Sequence, residues 1–112
     1  MRRNKYGAKK TSANGRIFDS KLEARRAVEL QQQQAAGHLQ DLEYQIPFPL
    51  VVEGCTVGTY VADFRYTCRP SGEIVVEDAK GMRTPVYNLK KKLVRALYGF
   101  DIQEWPLNRR VR

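Results

Sequence analysis

At 112 residues, 42% hydrophobic and 29% charged, the chain has the size and balance of one globular domain, which excludes a disordered, fibrous or multi-core protein. No apolar run approaches the ~20 residues of a membrane-spanning helix, and the opening MRRNKYGAKK has no apolar signal segment, so a soluble cytosolic protein with no membrane partner is expected. The net charge of +8 points to a polyanionic partner.

Residues 1–16 hold six basic groups, no acid and no apolar periodicity, and are expected to form a flexible basic arm ahead of a single domain over 17–112. Asp19 or Ser20 can cap a helix that begins there, Ser20 with Glu23 three residues later matching a capping box, and the helix is expected to run to about Ala36 and stop at Gly37. Glu23, Ala27 and Leu30 share one face of it, so Glu23 turns toward the core. Leu39 to Val52 reads as extended, an edge strand or an irregular stretch rather than a central strand, because Pro47 and Pro49 cannot donate to a central ladder. In the next strand, Thr56 to Cys68, residues Tyr60, Ala62, Phe64 and Tyr66 alternate with Val61, Asp63 and Arg65. Pro70-Ser71-Gly72 turns the chain into a strand from Glu73 to Lys80 whose Ile74-Val75-Val76 centre is expected to be buried on both faces. Thr84 and Pro85 open a second helix with an apolar stripe of Val86, Leu89, Leu93 and Leu97, and Phe100 to Trp105 adds a last short strand. This order, helix-strand-strand-strand-helix-strand, defines an α/β fold with a central mixed sheet flanked by helices. Cys55 and Cys68 lie in no CxxC or Cys/His cluster and His38 is the only histidine, so zinc ligation is excluded and two buried reduced thiols are expected.

Charge is unevenly spread. Residues 80–112 carry nine basic groups against Asp101 and Glu104, whereas 17–79 carry five against ten acids, a net −5. Carboxylates repel phosphate, so a passive nucleic-acid binder gains nothing from an acidic centre; an enzyme that brings divalent cations to a phosphodiester does. On a strand, Asp78 and Lys80 share one face. Asp63 on the preceding strand and Glu23 on the inner helix face can join them, giving three acids and a lysine. Mg²⁺ is held by one or a few carboxylates with water and phosphate oxygens, a role that falls to Asp63 and Asp78, while the Lys80 ammonium positions the nucleophile or stabilises the transition state. Against this, a D-x-K triplet alone is commonly a solvated strand face or a cross-strand ion pair, and Glu23 can be a capping residue only. Glu77 on the opposite face would be costly to bury alone, so it is expected either near the sheet edge or paired, with a basic residue of the second helix as the candidate partner. Gln45 is a possible site residue. Lys9, Lys10, Arg16, Arg83, Lys90, Lys91 and Arg95 are candidates for phosphate contacts, and Tyr6, Tyr87 and Trp105 either stack on bases or belong to the core.

Taken together, KYGAKKTSANGRIFDSKLEA, YVADF and VVEDAKGMRTPVYNLKKKL resemble the PD-(D/E)xK nuclease superfamily, and within it a family of small phage-encoded proteins near phage Holliday-junction endonucleases and transposon-end-cleaving nucleases. The resemblance spans roughly residues 5–105, with Ala62 standing where the motif name has proline. It implies a restriction-endonuclease-like core and a Mg²⁺-dependent endodeoxyribonuclease, with Mn²⁺ as substitute, that leaves a 5′-phosphate and a 3′-hydroxyl. By position, it implies that Asp63 and Asp78 bind metal with the Ala79 carbonyl, that Lys80 is the catalytic lysine and that Glu23 is the helix acid and a further metal ligand. It further implies DNA as partner, a homodimer, a place in the cytoplasm of a bacterial host and a possible phage recombination or packaging partner. The alternative from another class is a non-catalytic nucleic-acid-binding accessory protein on a nuclease-like fold.

Overall fold

The computed structural model describes residues 11–13, 16–18, 20–80 and 82–106. Its element order is β1 (Thr11–Ala13), β2 (Arg16–Phe18), α1 (Lys21–Ala35), β3 (Leu39–Val52), β4 (Cys55–Cys68), β5 (Ile74–Ala79), α2 (Pro85–Tyr98) and β6 (Gln103–Trp105). β1 and β2 pair antiparallel as a separate two-stranded sheet, Thr11 opposite Phe18. The basic arm expected through residue 16 is therefore interrupted by strand pairing from Thr11 onward, which apolar periodicity does not reveal in segments of three residues; residues 1–10 lie outside the described ones.

The main sheet has the order β3-β4-β5-β6 and is mixed: the β3–β4 and β4–β5 pairs are antiparallel, and β5 and β6 pair in parallel. The prolines are on an edge, as expected, because β3 is the first strand of that order. A two-residue turn joins β3 to β4, with Glu53 at φ 49° and Gly54 at φ 79°, the pattern of a type I′ turn whose twist suits a hairpin. Parallel pairing of β5 and β6 requires a crossover, and α2 provides it.

Both helices begin and end where the sequence signals them. Ser20 Oγ accepts the Glu23 N–H at 3.1 Å, and Gly37 follows the helix at φ 85°. Thr84 Oγ1 accepts the Tyr87 N–H at 3.1 Å, Pro85 is the first helical residue, and Gly99 caps the end at φ 84° with its N–H on the Arg95 carbonyl. Each helix builds one cluster against the sheet. Ala24, Ala27 and Leu30 of α1 meet Leu39, Phe64 and Tyr66; Tyr87 and Val94 of α2 meet Ile46, Phe48, Leu50, Tyr60, Ala62, Val76 and Ile102. Of the buried side chains of the β3–β4 ribbon, Ile46, Phe48, Leu50, Tyr60 and Ala62 belong to the α2 cluster and Leu39, Phe64 and Tyr66 to the α1 cluster.

Three expectations are corrected. The stripe Val86, Leu89 and Leu97 is exposed and Leu93 only half-buried, because the apolar arc of α2 is wider than its contact and the helix seats on Tyr87 and Val94 instead. Ile74 is 66% exposed, since β6 pairs only with Glu77–Ala79 and leaves the start of β5 uncovered. The cysteines are free, as expected, yet Cys55 is exposed at the turn end of the ribbon and Cys68 is half-buried.

Candidate active site at the ends of β4 and β5

Asp63 on β4 and Asp78 on β5 are held by each other's strands. The Asp63 N–H donates to Asp78 Oδ1 at 3.0 Å, and Asp63 Oδ2 accepts the Ala79 N–H at 3.0 Å. The Tyr60 hydroxyl donates to Asp78 Oδ2. Asp78 is only 1% exposed, and this burial pushes its carboxyl up to about 6 against the lowering effect of the Lys80 charge and the Asp63 N–H, with the Glu104 charge adding to the rise. Both Asp78 oxygens thus accept from neutral donors, and carboxyls perturbed in this way by burial cluster at functional sites.

Glu23 is buried on α1 and accepts the Gln45 Nε2 donor at 2.7 Å, so its carboxylate is engaged beyond the helix cap. Gln45 takes φ 55°, a left-handed backbone that costs a non-glycine residue about 1 kcal/mol or more and recurs at functional sites. The Lys80 ammonium lies 4.6 Å from the centre of the Tyr87 ring, and its backbone N–H donates to the Trp105 carbonyl at 3.0 Å. Ala79 is half-buried against the α1 cluster.

Two residues that sequence reasoning missed complete the surroundings. Glu104 on β6 is the registered neighbour of Asp78 and collects Arg83 at 2.7 Å, the Tyr87 hydroxyl at 2.8 Å and Lys91 at 3.1 Å. Burial alone would raise its carboxyl, but these three donors prevail and hold it near about 2. The other is Tyr60, which reaches Asp78 with its hydroxyl while its ring stays in the α2 cluster. Neither carries a sequence signal, since the β5–β6 register and the reach of a tyrosine across strands are tertiary facts.

Glu77 is wholly buried and does have a partner, but from the other helix than expected: Arg26 of α1 at 2.5 and 3.0 Å, joined by the Tyr66 hydroxyl at 2.6 Å. Burial opposes charging of Arg26, and the bonds to Glu77 and Glu29 outweigh it, raising Arg26 above its ordinary value. Trp105 is half-buried beneath the guanidinium groups of Arg25 and Arg26 at 5.6 and 5.2 Å, and Tyr87 is a core residue, so neither is an open stacking platform.

Of the phosphate-contact candidates, Arg83 and Lys91 converge on Glu104, Arg95 is exposed and faces Asp101 at 3.4 Å, and Lys90 donates to the Thr59 carbonyl at 3.0 Å on another side of α2. Tyr6, Lys9 and Lys10, and the side chain of Arg16, lie outside the described residues. Among the described residues no group of three or more histidine, cysteine, aspartate or glutamate side chains is gathered to hold a metal ion. The all-oxygen donors of Asp63 and Asp78 still suit Mg²⁺, which takes one or two carboxylates and completes its shell with water and substrate oxygens. No helix among the described residues is long and apolar enough to cross a membrane. No curated protein and no solved structure matches the chain. The family model described as "Protein of unknown function (DUF1064)" matches residues 3–108, nearly the whole length, and the chain belongs to that family.

Proposed function

We propose that the protein is a metal-dependent endodeoxyribonuclease built on a restriction-endonuclease-like core, with its site at Glu23, Asp63, Asp78 and Lys80. The observation that carries this reading is the mutual hold of Asp63 and Asp78 across β4 and β5, with Asp78 almost fully buried. Asp63, Asp78 and the Ala79 carbonyl would hold Mg²⁺, or Mn²⁺ in its place, which supplies positive charge at the scissile phosphate. Tyr60 and the Asp63 N–H orient the Asp78 oxygens, and Gln45 orients Glu23. Lys80, set beside the Tyr87 ring, brings an ammonium to the same end of β5, where it can stabilise charge that develops on the phosphate. A cytoplasmic homodimer acting on branched or duplex DNA, in a phage recombination or packaging setting, extends the same reading.

The test is cleavage of supercoiled plasmid and of a synthetic four-way junction by purified protein in Mg²⁺, Mn²⁺ or EDTA, with Asp78→Ala alongside. Cleavage is expected with either metal, none in EDTA, and a loss of at least about 100-fold in the variant. DNA binding without cleavage under all three conditions would sink the nuclease reading in favour of the accessory protein.

A further inference from the structure

On α2, Lys91 and Lys92 lie three and four residues after Asn88 and four and three before Arg95, so the four share one side of the helix. Together with Asp101 they line an open depression of about 410 Å³. Three cations face one acid there, and the acid is a weak counterweight: Asp101 and Arg95 are both exposed and 3.4 Å apart. Lys92 is exposed and, among the described residues, has neither an ion pair nor a hydrogen bond. Lys91, one of its lining residues, also bonds Glu104, the strand neighbour of Asp78, which sets that end of the depression next to the candidate site. Lys90 is different. Its ammonium is bound to the Thr59 carbonyl, away from the depression, although it is next to Lys91 in sequence.

We propose that this side of α2 carries the sugar–phosphate backbone of duplex DNA to the candidate site, with Lys92 and Arg95 as its outer phosphate contacts. The eight residues from Asn88 to Arg95 rise about 10 Å, a length over which one DNA strand presents about three phosphates. An amide, two ammonium groups and a guanidinium suit phosphate oxygens and offer little that distinguishes bases, so the surface fixes the path of the strand and leaves sequence unread. The identity of the polyanion rests on the nuclease reading; the location of the surface rests on charge and geometry alone.

The experiment measures affinity for a fluorescent DNA duplex by anisotropy, in EDTA and over a salt series, for the wild type and for Lys92→Ala, Arg95→Ala and Lys90→Ala. Each removes one positive charge from the same helix, so net charge is matched. Lys92→Ala and Arg95→Ala are expected to weaken binding and reduce the slope of log K against log salt by about one unit each, while Lys90→Ala leaves the slope unchanged. Equal loss in all three, or no loss at Lys92, would overturn the proposal. Because no metal is present, the slopes are independent of cleavage: the expected slopes in a protein that cleaves nothing support this surface and refute only the nuclease reading, whereas cleavage with unchanged slopes at Lys92 and Arg95 does the reverse.

Discussion

Asp78 shows at the scale of one residue how a functional carboxylate is set against stability. Its carboxyl is raised from an ordinary 3.8 to about 6, so its contribution to stability is fully present below pH 3.8 and is lost as the pH rises through 6. Above that, keeping the buried charge costs up to about 3 kcal/mol. Asparagine preserves the shape and still accepts the Asp63 N–H, and the Tyr60 hydroxyl can turn to accept from the new amide. Asp78→Asn is therefore expected to stabilise the metal-free protein at pH 8 by as much as about 3 kcal/mol in urea unfolding, with the gain shrinking toward pH 4. A variant less stable than the wild type at pH 8 would show that the Asp78 charge is compensated in the fold.

At the scale of elements, the site depends on how α1 is fixed to β5. Arg26 lies one turn beyond Glu23, and Glu77 precedes Asp78, so the Arg26–Glu77 pair links the helix acid to the strand that bears the D-x-K triplet. Glu77 is fully buried, and removing its charge leaves Arg26 without its main partner. Glu77→Gln is expected to cost about 3 kcal/mol in urea unfolding with an unchanged denaturant slope; a cost below about 1 kcal/mol would mean that packing alone seats α1. The second helix illustrates why apolar spacing does not set the phase of a helix. Val86, Leu89, Leu93 and Leu97 form the more regular stripe, but Tyr87 bonds Glu104, Lys90 bonds the Thr59 carbonyl and Tyr98 bonds the Pro49 carbonyl, and these polar ends accompany burial of the Tyr87 and Val94 side.

At the scale of the whole molecule, strongly basic ends enclose an acidic centre of net −5. Within residues 1–10 there are five basic groups, Arg2, Arg3, Lys5, Lys9 and Lys10, and their charge alone predicts a large share of the salt sensitivity of DNA binding. Deleting them is expected to reduce the salt slope by up to about 4 units in the same anisotropy assay, and an unchanged slope would show that they make no phosphate contacts. The sequence by itself determined the helix limits through Ser20, Gly37, Thr84, Pro85 and Gly99, the edge position of the proline-bearing strand, the hairpin that sets Asp63 beside Asp78, and the side that Asp78 shares with Lys80. These follow from local chemistry: caps, fixed φ angles, missing N–H groups and a period of two. Only the tertiary structure decided that Glu77 pairs with Arg26, that Glu104 stands beside Asp78 and gathers Arg83, Tyr87 and Lys91, and which side of α2 is buried. Each of these depends on the register or rotation of elements distant in the chain, which side-chain periodicity within a single element does not encode.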